Sequence, residues 1–269
     1  MVRGGWLPAL LVVLAAELAC SGGGSGAAPP EPTVAPPAGV LTLGSLSLSP
    51  GREHEVMQPF ADYLAGRLAS VGIGHGRVVV VESVRGMVEE LAAGRVDLYI
   101  DSPFPVAFVA AHGSGLKVLL RRWKRGAESY RSMIFARADS GIETVADLRG
   151  RMIAFGEPFS TTGYLLPKTA LVAAGLQVAG YQDPAAAVPQ DRVGYVFSND
   201  AESTVFWVLK GKVSAGAGNE DYFTEMAGER IDELRVVART PSLPRNLVCA
   251  RRGLDPAVEA AIIDVLLAM

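Results

Sequence analysis

From Val40 onward, short β-like runs alternate with helix-like segments, and this alternation restricts the chain to a layered α/β architecture. Val40 to Leu48 reads as a strand. Glu55 to Leu68 carries Val56, Phe60, Tyr63, Leu64 and Leu68 at helical spacings of three and four. Val78-Val79-Val80-Val81 gives a second strand, Met87 to Ala93 a helix closed by Gly94, and Val96 to Ile100 a third strand. A β-α-β-α-β series predicts a mainly parallel sheet covered by helices.

The same grammar restarts after Tyr130. Strands are expected at Met133 to Ala136, Met152 to Phe155, Gly194 to Phe197 and Val213 to Ala217. Helices are expected around Val145-Leu148, from Thr162 to Ala174 and from Glu202 to Leu209. Leu234 to Ala238 and Leu247 to Ala250 read as strands flanking Pro241-Ser242-Leu243-Pro244, and Pro256 to Leu267 as a terminal helix capped by Asp255. The expected organisation is two α/β lobes: residues 40–130 with 240–269 form the first, and 131–239 the second.

The amino end predicts export. Arg3 precedes an apolar run from Trp6 to Ala16, and Glu17-Leu18-Ala19-Cys20 then presents a small residue before a cysteine. Residues 1–19 read as a signal peptide, and Cys20 as the lipidated residue of a bacterial lipoprotein, although Glu17 stands where such signals usually carry Leu. Ser21 to Gly39 is almost wholly Ser, Gly, Ala and Pro, a tether rather than a core. The expected location is the periplasm or the outer face of the cell membrane, with a lipid anchor. If Cys20 is acylated, Cys249 has no partner in the chain; its apolar surroundings suit a buried structural thiol.

Gly156-Glu157-Pro158-Phe159-Ser160-Thr161-Thr162-Gly163-Tyr164 follows a strand and opens a helix. The first N–H groups of a helix and its dipole favour an anion, and the hydroxyls of Ser160, Thr161 and Thr162 add donors. Gly163 would let a ligand approach the backbone. A plain helix cap by Ser160 or Thr161 explains part of the same pattern. Pro167 complicates a simple helix start.

Ser160-Thr161-Thr162-Gly163-Tyr164-Leu165-Leu166-Pro167 resembles the Ser-Thr-Ser-Gly-aromatic-Leu-x-Pro segment of the PhnD-like phosphate, phosphite and phosphonate periplasmic binding proteins. Gly94-Arg95-Val96-Asp97, Tyr130-Arg131-Ser132 and the Asp139-Ser140-Gly141-Ile142 to Gly150 run resemble further family motifs in the family's order. The resemblance covers Val40 to the carboxyl end. It implies a two-lobed type II periplasmic binding protein with a hinge and an interlobe ligand cleft. By position it assigns Ser160, Thr161, Thr162 and Gly163 to the oxyanion, with Tyr130 reaching it from the hinge or packing there. Ser102 and Asp101 follow the third strand; Asp101 would repel a dianion, bind a cationic group or cap the next helix. Ala201 falls where a phosphonate-binding member has His, which leaves Asn199 or Asp200 as substitutes. Asn219 and Glu220 would bind an amine or protonated oxygen, or lie in a solvated loop.

Other chemistry finds no foothold. His54, His75 and His112 lie far apart, so no metal centre is expected. No nucleophile elbow, phosphate-binding loop or dinucleotide fingerprint occurs, so neither an enzyme nor a cofactor is expected. The net charge of −3 argues against bulk polyanion binding such as nucleic acid. Arg121-Arg122-Trp123-Lys124-Arg125 is expected to be a solvated face or a permease-docking element. The expected function is capture of a small oxyanion by a monomer that serves an ABC permease, or a sensory module of the same fold that signals to a membrane receptor or histidine kinase.

Overall fold

The computed structural model describes residues 39–113 and 115–269. The expected signal peptide, lipidation at Cys20 and tether up to residue 38 fall outside the described residues. No helix among the described residues is long and apolar enough to cross a membrane.

The first lobe begins with β1 (Val40–Leu46), α1 (Pro50–Ala65), β2 (His75–Val81), α2 (Val84–Ala92), β3 (Leu98–Asp101), α3 (Pro103–Ala111) and β4 (Lys117–Arg122). After β5 (Ser129–Tyr130) the chain enters β6 (Ser132–Arg137), β7 (Met152–Phe155), α4 (Leu166–Ala173), β8 (Gln177–Gly180), β9 (Arg192–Phe197), α5 (Ala201–Leu209), β10 (Ala215–Asn219), α6 (Glu220–Ala227) and β11 (Leu234–Arg239). It returns through β12 (Leu243–Pro244) to β13 (Asn246–Ala250) and α7 (Pro256–Leu267). One sheet has the order β2-β1-β3-β13-β4 and the other β11-β6-β10-β7-β9-β8. Each has a parallel centre with antiparallel strands added: β13 and β4 in the first, β6 and β11 in the second.

Both faces of each sheet are covered, as parallel strands require. In the first lobe Leu41, Leu43, Leu64, Leu68 and Ile262 form one core, and Met87, Leu91, Tyr99 and Val106 another. In the second, Met133, Phe135 and Val208 pack on one face, and Ile153, Phe155 and Leu171 on the other. Cys249 is fully buried between β3 and β4, and burial pushes its thiol up to about 12, which makes it unreactive.

Three local outcomes refine the expectations from sequence. Arg121 and Arg122 end a strand, β4, where outward charges suit an edge. The Pro241 to Pro244 segment makes a second crossing between sheets: β12 pairs antiparallel with β5, Leu243 opposite Tyr130 and Pro244 opposite Ser129. The turn after β7 winds as a π-helix over Thr161–Leu165 before α4 begins. Pro167 therefore falls in the first turn of α4, where its missing N–H costs nothing.

Candidate functional site

Residues from both lobes and from the crossing line one cavity of about 250 Å³. Asp101 and Ser102 come from the end of β3, and Lys124 from the loop after β4. The second lobe supplies the turn after β7, the start of α5 and the start of α6. Tyr130 and Arg245 come from the crossing.

The turn after β7 is held by its own groups. The Gly156 N–H reaches the Gly163 carbonyl at 3.0 Å, and the Ser160 N–H reaches the Glu157 carbonyl at 3.0 Å. Ser160 Oγ accepts the Gly163 N–H at 2.9 Å, so Ser160 is the N-cap. A Cβ on Gly163 would lie 2.8 Å from that Oγ. Glycine is thus required by the cap, and the Gly163 N–H is taken by it, whereas the Ser160 hydroxyl, an acceptor in this bond, keeps its own hydrogen to donate.

Thr161 reaches across to the first lobe. Its hydroxyl donates to Ser102 Oγ at 2.9 Å and accepts the Phe104 N–H, in the first turn of α3, at 2.9 Å. Ser132 Oγ donates to the Thr162 carbonyl at 2.6 Å. Among the described residues, no acceptor is recorded for the N–H groups of Thr161 and Thr162 or for the Thr162 hydroxyl. Ser102 Oγ accepts from Thr161 and keeps its own hydrogen to donate. The Tyr130 hydroxyl is buried and, among the described residues, has no partner of hydrogen-bonding geometry. Burial raises its pKa, while the neighbouring Thr161 and Ser102 hydroxyls act to lower it.

Carboxylates line other parts of the same cavity. Asp101 accepts from the Tyr99 hydroxyl at 2.8 Å and from the Ser102 N–H at 2.6 Å, yet burial pushes its carboxyl up to about 6. Burial, then the charges of Asp101, Asp200 and Glu53, push Glu157 up to about 7, with Lys124 acting the other way. Asp200 caps α5, accepting the Ser203 N–H at 2.6 Å and its hydroxyl at 2.7 Å.

A family model described as ABC transporter, phosphonate, periplasmic substrate-binding protein matches residues 45–269. The chain belongs to this family.

Among curated relatives, the phosphate-import protein PhnD of Mycolicibacterium smegmatis is 26% identical over 180 residues, which are 64% of this chain and 55% of that protein. The matched stretch thus spans about half the length of that relative. XAC2383 from Xanthomonas citri, solved with chloride, is 29% identical with a TM-score of 0.81, over 86% of this chain and 84% of that one. A second structure of it, bound to ATP, gives 28% and 0.79 over 86% and 83%. PhnD1 from Prochlorococcus marinus, in complex with methylphosphonate, shares the fold at 17% identity and a TM-score of 0.65, over 85% and 84%.

The cavity gathers eight of the ten ligand positions expected from sequence: Ser160, Thr161, Thr162, Gly163, Tyr130, Ser102, Asp101 and Asn219. The other two lie elsewhere. Glu220 is engaged by Arg131 at 3.5 Å and by Arg239 at 2.5 Å. Asn199, exposed at a left-handed φ of 70°, borders a separate surface cavity with Tyr195 and Phe197. Asn219 caps α6 by accepting the Asp221 N–H at 2.9 Å. Sequence reasoning missed Lys124, Glu157, Tyr222 and Arg245. Glu157 stood inside the quoted motif and was the findable one; Arg245 follows a Pro-rich crossing that has no periodicity to read.

Proposed function

We propose that this protein is an exported receptor that closes on a small phosphorus oxyanion and hands it, unaltered, to an ABC permease. The observation that carries this reading is the set of uncommitted donors around one cavity: the N–H groups of Thr161 and Thr162 and the hydroxyls of Thr162, Ser102 and Tyr130. A phosphonate, phosphite or phosphate head is rich in acceptors and matches such a lining, and donation to a charged oxygen is the stronger kind of hydrogen bond. Family membership and the phosphorus ligands named for the relatives support the same head group.

The carboxylates refine the ligand. Asp101, Glu157 and Asp200 disfavour a second negative group and favour an ammonium, so the best fit is a phosphonate with a short cationic arm. The cavity equals the share of about eight waters in the liquid, which suits an arm of two or three atoms. Closure proceeds by bending at the β5/β12 crossing, with 40–130 plus 240–269 moving against 131–239. The Thr161 hydroxyl then locks onto Ser102 and the first turn of α3. An acylated Cys20 and the tether behind it keep the receptor at the membrane surface.

The test is calorimetry and thermal shift on the purified protein with methylphosphonate, aminoethylphosphonate, phosphate, phosphite, sulfate and ATP. Aminoethylphosphonate is expected to bind most tightly. Thr162→Val, which removes one uncommitted donor at nearly constant shape, should weaken phosphonate binding by about tenfold or more, the worth of one charge-assisted hydrogen bond. Sulfate or ATP binding above every phosphonate, or full affinity in Thr162→Val, would refute the assignment.

A further inference from the structure

The geometry points to Arg245 as a ligand-binding residue: its Nε–H, together with the Tyr130 hydroxyl, donates to the bound oxyanion while another nitrogen of the same guanidinium holds α6. This inference rests on the oxyanion reading above and adds to it a buried, permanently charged donor at the crossing between the lobes.

Arg245 follows β12 directly, and its N–H bonds the Glu128 carbonyl at 3.0 Å, so its backbone is fixed to the crossing. Its side chain is only 2% exposed, the largest among the most deeply buried side chains of the protein. A buried guanidinium requires a counter-charge and acceptors for its N–H groups. The counter-charge present is Asp221 of α6, which accepts from Nη1 but is itself 52% exposed. The rings of Tyr130 and Tyr222 lie 5.4 and 5.7 Å from the guanidinium carbon and complete the surroundings. Among the described residues, Nε has no acceptor.

That vacancy is not isolated. Among the described residues, the buried side-chain nitrogen and oxygen atoms without a partner are Arg245 Nε and Tyr130 Oη, and both residues line the same cavity. Both atoms are hydrogen donors here, one on a cation, so the group that satisfies both is an anionic acceptor. A neutral acceptor would leave the buried charge dependent on the half-exposed Asp221. The two residues approach from the crossing, whereas the amides of Thr161 and Thr162 and the Thr162 hydroxyl approach from the second lobe. The oxyanion is thereby held on more than one side. Arg245 also joins ligand to closure, because the guanidinium that meets the anion grips Asp221 at the start of the lobe-2 helix α6.

The experiment titrates methylphosphonate into the full chain, into Tyr130→Phe and into Arg245→Gln, with Thr162→Val as the control for the oxyanion reading. Affinity should fall about tenfold in Tyr130→Phe and about a hundredfold in Arg245→Gln. The ligand-free melting temperature of Tyr130→Phe should not fall, since the hydroxyl it loses makes no bond, whereas a merely structural tyrosine would move stability and not affinity. In protein labelled with ¹⁵N-arginine, the Nε–H resonance that is absent from Arg245→Gln should shift on saturation with methylphosphonate. If Arg245→Gln does not fold, Arg245→Lys identifies that resonance. Wild-type affinity in both variants, or an Arg245 Nε–H signal unmoved at saturation while Thr162→Val has lost binding, overturns the role of Arg245 and leaves the oxyanion site standing. Absence of phosphonate binding to the unsubstituted protein overturns both.

Discussion

Two arginine–aspartate pairs sit inside this protein, and they differ in what surrounds them. In the first lobe, Arg251 Nε meets Asp97 Oδ1 at 2.9 Å, while Asp97 Oδ2 accepts the Thr42 N–H at 2.9 Å. The Asp97 N–H and C=O are bonded to Thr42 and to Arg251, so this carboxylate, 4% exposed, is satisfied from every side. At the crossing the burial is reversed: the arginine is the buried partner, its aspartate is half exposed, and among the described residues one guanidinium nitrogen has no acceptor, in a residue that lines the cavity. A buried ion pair with all its groups engaged stitches β1, β3 and β13 together. One with a vacancy is built for something the chain does not itself supply.

Removing each aspartate separates the two cases. Asp97→Ala leaves a partly buried guanidinium and the Thr42 N–H without partners, and should cost about 3 to 5 kcal/mol in chemical denaturation. Asp221→Ala leaves the buried Arg245 guanidinium without its charged partner and should likewise cost about 3 to 5 kcal/mol. Saturating methylphosphonate should offset much of the loss in Asp221→Ala, since the ligand anion provides a counter-charge to Arg245. The loss in Asp97→Ala lies far from any vacancy, so ligand should add to its stability no more than it adds to the unsubstituted protein. Equal recovery in the two variants would dissolve the distinction between a stitched pair and a vacant one.

The carboxylates of the cavity give the next largest effect. Asp101 and Glu157 both have folded-state pKa values raised, to about 6 and about 7, so the folded chain binds protons more tightly than the unfolded one. For such groups stability is greatest at low pH and is lost as pH rises towards the folded pKa. The ligand-free protein should therefore lose on the order of 2 kcal/mol between pH 5 and pH 8, measured by denaturation at each pH, and Glu157→Gln should flatten the upper part of that slope. Ligands report the same charges in opposite directions. As pH rises and these carboxylates ionise, the affinity for aminoethylphosphonate should grow relative to that for methylphosphonate, because the head group is common to both and only the arm differs. A constant ratio of the two affinities across that range would remove the cavity carboxylates from ligand selection.

The strand-helix alternation and the helix Pro256–Leu267 were legible because they depend on neighbours a few residues apart: apolar spacing, an Asp255 cap, and a proline in the first turn. The family motifs led to the turn after β7 for the same reason. What lay out of reach were bonds between groups distant in sequence. Nothing near Thr161 announces that its hydroxyl is taken by Ser102 and Phe104, 59 and 57 residues earlier. Likewise Leu243-Pro244-Arg245 reads as a plain turn until β12 pairs with β5 and places the guanidinium beside Tyr130. Asn199 shows the converse error. One position away from the cavity residue Asp200, it takes a left-handed conformation and ends on another surface.

The smallest effect concerns Ser160, which shares a turn with Thr162 but not its role. Ser160 Oγ accepts the Gly163 N–H and keeps only its own hydrogen, whereas among the described residues the Thr162 hydroxyl has no partner. Ser160→Ala should therefore act first as loss of an N-cap, about 1 kcal/mol of stability, with a fewfold loss of phosphonate affinity as the turn loosens and one hydroxyl donor goes. Thr162→Val should leave the cap intact and lose affinity instead. The freed Gly163 N–H also predicts partial compensation: in Ser160→Ala it becomes one more donor that the anion can take. Ser160→Thr, which keeps an Oγ for the cap, should restore stability without raising affinity above that of the unsubstituted protein. If Ser160→Ala instead lost as much affinity as Thr162→Val at unchanged stability, Ser160 would serve the ligand and not the cap.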